Sequence, residues 1–266
     1  MGNYTRVIRE YSEMSFRCTR GDIDVFRSKQ FHPFYEFYFL VSGKVEFINS
    51  RTRRRIESNQ LAIIPPGEYH HFIVDQGDVS EYERCVMTLS PEFLENLVPK
   101  EVFYEKDVLA LPEGHRIAEH FRYLKSKIMQ WSEADFEHIL SSAATDIAFL
   151  IKNDADFFTP AMKESSNPLA FEIMRHINEN YKKNITLKEI AERFFVSPST
   201  ISHVFKADFG VSVKKYITEK RMNEIRALLK TGRKPMELSQ EYGFFNYSTF
   251  YRSYCKYFGS SPSEFL

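Results

Sequence analysis

The spacing of apolar residues changes twice along the chain, and the changes divide it. Through about residues 25–90 they come in short aromatic and β-branched runs, "FYEFYFLVSG", "KVEFINS" and "QLAIIPPG", which predict strands. The basic run "RTRRR" before the third of these reads as an exposed hairpin tip. A helix is expected to begin at "SPEFLENL", with Ser90 as its cap, Pro91 in the first position and Glu92 in the first turn. From His115 the period becomes helical: Ile117, Phe121, Leu124, Ile128 and Trp131 follow at intervals of 4, 3, 4 and 3. A second helix capped by Ser132 places Phe136, Ile139, Leu140, Ala143, Ile147 and Leu150 on one face. This helical pair either packs on the strands or joins two subunits. In the second case Ile117, Phe121, Leu124 and Ile128 form a dimer interface.

All periodicity stops over 153–167, where Asn, Asp, Pro and Ser cluster as in a linker, so the expected domains are 1–152 and 168–266. The second domain contains a repeat. "LKEIAERF" followed by "PSTISHVFKADFG" returns as "PMELSQEY" followed by "YSTFYRSYCKYFG". Glu189-Ile190-Ala191 matches Glu237-Leu238-Ser239, and Phe209-Gly210 matches Phe258-Gly259. A short helix, a tight turn and a second helix, written twice, predict two helix-turn-helix units in an all-α domain. Ala191 and Ser239 are the small residues needed where helices cross closely. Ile201, Val204, Phe205 and Phe209 make the inward stripe of the first long helix. Its outward face carries Ser199, Thr200, Ser202, His203 and Lys206, and that of the second copy Tyr247, Ser248, Thr249, Tyr251 and Arg252. Such short hydrogen-bonding heads near a helix N-terminus suit base edges in a major groove. Between the units, Val213 to Lys230 predicts a helix about 27 Å long, against about 34 Å for one turn of B-DNA. Lys214, Lys215, Lys220, Arg221, Arg233 and Lys234 add phosphate-seeking charge around it.

Charge supports the division. The chain is neutral overall, with 36 Lys+Arg and 36 Asp+Glu, yet from Pro168 onward 16 basic residues face 10 acidic ones, +6, leaving −6 for the rest. A basic rear half fits a polyanionic partner, here double-stranded DNA. Asp208-Phe209-Gly210 is no kinase signature: no Gly-rich loop or His-Arg-Asp segment accompanies it, and Gly210 reads as a helix cap. Three widely spaced cysteines form no Cys-x-x-Cys and read as reduced thiols. No signal peptide and no run of 18 apolar residues is present, so a cytoplasmic protein without membrane contact is expected.

The segment "ITLKEIAERFFVSPSTISHVFKADFGVSVKKYITEKRM" with "YGFFNYSTFYRSYCKYFGSSPSEFL" resembles the AraC/XylS family of bacterial transcription regulators over about 168–266. That resemblance implies base reading at Ser199, Ser202 and His203, then at Tyr247, Ser248, Thr249 and Arg252. It also implies a possible contact with RNA polymerase. Two positions depart from the family: Ile225 stands where Ala is usual and Cys255 where Lys is frequent.

In the front half, "QFHPFYEFYFLVSG" and "NQLAIIPPGEYHHF" resemble the two motifs of a cupin β-barrel of jelly-roll type. His32, Glu36 and Gly43 match the first motif, and Pro65, Gly67 and His70 the second. In cupin enzymes this set and one more His hold a divalent metal; here Gln30 replaces that His. The expectation is accordingly a ligand cup with no metal, no cofactor and no catalysis. Alternation puts Glu36, Tyr38 and Leu40 on one side of a strand. His32, Glu36, Tyr38 and His70 then offer a carboxylate, imidazoles and an aromatic face, a set suited to a sugar as effector. The whole reads as a dimeric, effector-controlled DNA-binding regulator. The rival readings are a cupin metalloenzyme with a helical appendage and a ligand-independent regulator whose barrel only dimerises.

Overall fold

The computed structural model describes residues 6–21, 31–50, 52–74, 81–153 and 167–265. Gln30, Arg51 and residues 154–166 of the expected linker lie outside them. The chain forms two compact units, Met1–Glu164 and Ser165–Leu266.

The first unit is built on two antiparallel sheets. The larger runs in the order β1 (Arg6–Glu10), β2 (Met14–Arg20), β8 (Glu83–Leu89), β3 (Tyr35–Ser42), β6 (Gln60–Ile64) and β9 (Val108–Ala110). The smaller has β4 (Lys44–Asn49) at its centre, flanked by β5 (Arg53–Glu57) and β7 (His70–Ile73). Because side chains alternate across a strand, the large sheet presents two faces. Tyr38, Leu40, Ala62, Ile64 and Val86 meet Val45, Phe47, Ile56 and Phe72 of the small sheet. Phe16, Cys18, Phe37, Phe39 and Met87 point the other way, into a core shared with the helices. Both faces being covered, β3 is buried from Tyr35 to Leu40, which is why it reads as one apolar run.

The helices α1 (Pro91–Glu95), α2 (Glu101–Tyr104), α3 (Arg116–Lys127) and α4 (Glu133–Asn153) belong to this outer layer. Ser90 caps α1 by accepting from Phe93 N at 3.0 Å. Ser132 does the same for Asp135 N at 3.1 Å, ahead of α4. The seam expected to join subunits is used up inside the chain. Ile117, Phe121, Leu124 and Ile128 are at most 1% exposed, and the Phe121 ring lies 5.0 Å from Phe39 and 6.1 Å from Phe16. A sheet with an apolar outer face needs this cover, so the four residues are core and not a dimer interface. The basic run is also placed differently. Arg53 to Arg55 open β5, Arg53 gripping Glu46 at 2.6 and 3.0 Å, and Arg54 is buried. These three are strand residues just past the β4–β5 turn, in which Thr52 of the same run accepts from Asn49 N at 2.9 Å.

The second unit is helical: α5 (Pro168–Asn180), α6 (Leu187–Arg193), α7 (Pro198–Phe209), α8 (Val213–Lys230), α9 (Pro235–Glu241), α10 (Tyr247–Phe258) and a terminal 3-10 turn at Pro262–Phe265. No helix among the described residues is long and apolar enough to cross a membrane.

Candidate functional site

Two sets of residues stand out, one in each unit. In the second unit the repeat is reproduced down to its caps. Ser197 accepts from Thr200 N at 3.1 Å to start α7, and Asn246 accepts from Thr249 N at 2.8 Å to start α10. Gly210 and Gly259 end these helices at φ of 70° and 73°, each donating to a carbonyl four residues back, at 2.9 and 2.8 Å. A left-handed terminal residue is where Gly stops a helix at least cost. Ala191 and Ser239 are buried at the crossings.

On α7, Ser199, Ser202, His203 and Lys206 are exposed; on α10, Ser248, Thr249, Tyr251 and Arg252 are exposed. Two expected readers are partly engaged. Thr200 shares its hydroxyl with the Ser197 cap at 2.8 Å, and Tyr247 is half-buried against Phe250 and Tyr251. Arg252 Nε reaches back to Ser248 O at 3.4 Å. Lys214 and Lys215 are exposed on the first turn of α8, Lys215 lying 3.8 Å from Glu219.

Arg221 is not a phosphate-seeking surface charge. It is 8% exposed, and its guanidinium donates to Tyr181 O at 2.6 Å, Lys183 O at 2.6 Å and Gly243 O at 3.1 Å. Tyr181 and Lys183 follow α5 and lead into the first helix-turn-helix; Gly243 is the turn of the second. One buried cation on the connecting helix therefore ties the two helix-turn-helix elements of this unit together. Burial lowers its pKa, and three carbonyl dipoles hold it together with the Phe244 ring, whose centroid is 5.6 Å from the guanidinium carbon. Glu224, one turn further on, reinforces the tie by accepting from Tyr181 OH and from Tyr242 OH, the latter at 3.0 Å. Gly243 adopts φ 67°, and a Cβ there would meet Lys182 O at 2.7 Å. Lys220 rests over the Tyr181 ring at 5.1 Å, and Arg233 pairs with Glu241 at 2.9 Å. The sequence reading counted Arg221 as surface charge because nothing in a basic helix marks which cation turns inward.

In the first unit, the turn at Pro65–Gly67 and the start of β3 bring His32, Glu36 and His70 together. Gly67 N donates to His32 O at 2.9 Å, at a φ of 70° that Gly tolerates. His32 Nδ1 faces Phe34 O at 2.8 Å and His70 Nδ1 faces Glu68 O at 3.3 Å. A carbonyl only accepts, so each Nδ1 carries the proton and each Nε2 presents a lone pair. Both point toward Glu36, at 3.4 and 3.8 Å. The donor atoms of the trio lie within 4.8 Å of one another, and all three residues are buried. Burial raises the Glu36 carboxyl, but the neighbouring imidazoles and the Arg17 guanidinium more than offset this and hold it below the usual carboxylate range. Burial, followed by His32, lowers His70 to about 4. At neutral pH His70 is thus uncharged and Glu36 is ionised beside it.

Tyr38 faces the same interior but is no stacking surface for a ligand. Phe72 lies on its ring at 3.8 Å, the Arg84 guanidinium is 5.7 Å from its centroid, and its hydroxyl meets that of Tyr82 at 2.5 Å. The sequence reading missed β1 and β2 altogether. They complete this face with Arg17 and Thr19, which alternate with buried Phe16 and Cys18. That period-2 alternation was the available signal. Cys18 and Cys85, distant in sequence, are cross-strand neighbours with sulfurs 3.1 Å apart.

Comparison with known proteins yields two family matches: an AraC-like ligand binding domain over residues 14–145 and a helix-turn-helix domain over 190–266. The XylDLEGF operon transcriptional activator of Pseudomonas putida is 33% identical over 104 residues, 38% of this chain and 32% of that protein. The chain thus spans about a third of that relative's length. The arabinose operon regulatory protein of Escherichia coli (strain K12) is 24% identical over 208 residues, 77% of this chain and 70% of its own. ToxT of Vibrio cholerae O395, a solved structure, covers 98% of this chain and 95% of its own at 14% identity, with a TM-score of 0.38.

Proposed function

We propose that this chain, which belongs to the AraC/XylS family of transcription regulators, is a cytoplasmic, effector-controlled regulator that reads two successive major grooves of double-stranded DNA. The observation that carries the reading is the Arg221 clamp. Two helices with matched caps and exposed polar faces are held by one rigid connecting helix of 18 residues. At about 27 Å, that helix approaches one turn of B-DNA, about 34 Å. Ser199, Ser202 and His203 on α7, and Ser248, Thr249 and Arg252 on α10, then meet base edges, while Lys214 and Lys215 meet phosphate. The 1–152 segment binds the effector and the 153–167 segment links it to the reader. RNA polymerase is the partner on promoter DNA.

The test is a pair of variants on one bound duplex. Arg252→Ala is expected to relax preference at one base position, at a cost of about 1–3 kcal/mol on the preferred sequence. Lys214→Ala is expected to weaken all sequences alike and to lower the salt slope by about 1. Equal loss on every sequence for Arg252→Ala overturns the placement of α10 as a base reader.

For the effector, a polyhydroxylated compound fits an acceptor-rich pocket: Glu36 and two imidazole lone pairs need hydroxyl donors. One observation favours a second reading of the same pocket. His32 Nε2 is buried without a hydrogen-bond partner, and with His70 and Glu36 it makes a donor set suited to an imidazole-preferring divalent cation. Thermal shifts of the full chain with added Zn²⁺ or Mn²⁺, lost in His70→Gln, would support that reading over a metal-free cup.

A further inference from the structure

Strand register carries the interior face of the first unit further. Reading across β1, β2, β8 and β3, three rows of side chains share that face: Arg6–Thr19–Arg84–Leu40, Ile8–Arg17–Val86–Tyr38 and Glu10–Ser15–Thr88–Glu36. The short residues Thr19, Ser15 and Thr88 form a floor, with Val86 beside them packed against the small sheet. Arg17 and Arg84 stand at one end of it and Glu36 at the other.

Hydrogen bonding on this face is incomplete in one direction. Arg17 Nε, Arg84 Nε and Thr19 Oγ1 are buried and lack a partner. Arg84 is 8% exposed and Thr19 0%. Arg84 gives one N–H to Tyr82 OH, while no carboxylate among the described residues lies within ion-pair distance of Arg17. Its charged neighbours are Glu36 on the attractive side and Arg84 and Arg6 on the repulsive one. A guanidinium only donates, so three arginines gathered around an unpaired hydroxyl call for an acceptor that carries negative charge. At the opposite end the demand reverses. Glu36 and the Nε2 lone pairs of His32 and His70 only accept.

We infer that the effector is a hydroxylated oxyanion, an acidic sugar, whose anionic group is held by Arg17 and Arg84 over Thr19 while its hydroxyls donate to Glu36, His32 and His70. This rests on the reading that the first unit binds an effector, and it specifies that ligand's chemistry. β2 and β3 are separated by β8, so their axes lie about 9–10 Å apart. The planar fork of Arg suits a carboxylate or a phosphate equally.

The test is a thermal-shift panel on the full chain. It uses glucuronate, galacturonate and gluconate, the phosphates glucose 6-phosphate and galactose 6-phosphate, and the neutral parents glucose and galactose. An acidic member is expected to raise the melting temperature where its neutral parent does not, and whether carboxylates or phosphates do so identifies the anionic group. Arg17→Gln should weaken that ligand about ten- to a hundredfold, with Arg17→Lys partly restoring it and Thr19→Val giving a smaller loss. Arg17→Gln should leave cooperative unfolding of the free protein intact, so that a lost ligand shift reports binding and not misfolding. The inference is overturned if a neutral parent binds as well as its acid, if Arg17→Gln leaves acid binding unchanged, or if no acid binds. A neutral hit would leave the effector reading standing; silence from every compound would count against both.

Discussion

Replacing Arg221 with Met keeps much of the side-chain volume and removes the guanidinium that joins the two helix-turn-helix units. Three charge-assisted bonds are lost, at 2.6, 2.6 and 3.1 Å, each worth about 1.5 kcal/mol or more. Against that gross loss of about 5 kcal/mol stands the relief of no longer burying a cation that no carboxylate balances. The net is about 3 kcal/mol, or roughly a hundredfold in an opening equilibrium. Hydrogen exchange on the full chain reads it directly. Amides of α8 and α9 should lose about a hundredfold of protection, while the sheets of the first unit keep theirs. DNA binding should change in kind as well. With the connecting helix no longer fixed to both units, affinity for a duplex carrying both half-sites should fall toward that for one half-site alone. Unchanged protection in α8 and α9, or an equal loss in both units, would refute the clamp.

Two further outcomes follow from the first unit. His70, 2% exposed with its pKa lowered to about 4, is neutral when folded, while the unfolded chain takes up the proton near pH 6.5. Stability is therefore full above pH 6.5 and falls as pH drops toward 4, by about 3 kcal/mol. Urea unfolding followed through the single tryptophan, Trp131, should show this loss, and His70→Gln should flatten the curve between pH 6.5 and 5. Phe121→Ala, a large-to-small change at a side chain with 0% exposure, should cost about 3–5 kcal/mol without changing the mass measured by light scattering. A fall in mass with little loss of stability would return α3 to the role of a subunit seam.

Legibility in the sequence differed between the halves for physical reasons. The second unit repeats itself, so its turns, crossings and caps could be read by aligning the chain with itself. Gly210 and Gly259 mark stops whose geometry is local. Burial of the Arg221 head is set by tertiary contacts with Tyr181, Lys183 and Gly243, which no helical period encodes. In the first unit, His32, Glu36 and His70 were picked out by their resemblance to the two cupin motifs, and they converge. Tyr38 was placed on the correct face by alternation, but Phe72 fills its stacking position from another sheet. The α3 seam shows why a heptad pattern is ambiguous over two heptads: an apolar stripe looks the same whether a sheet or a second subunit covers it. Arg17 went unread because charged residues on β1 and β2 masked a strand whose polar side faces the interior.

The central claim is that two recognition helices, held by one clamp, read two successive grooves. Selection of bound duplexes from a random pool with the full chain tests it most directly. The account predicts two enriched blocks with centres about 10 bp apart, with Arg221→Met retaining each block and losing the fixed spacing. A single enriched block, or two blocks with centres about half a turn apart and so on opposite faces of the DNA, would contradict it.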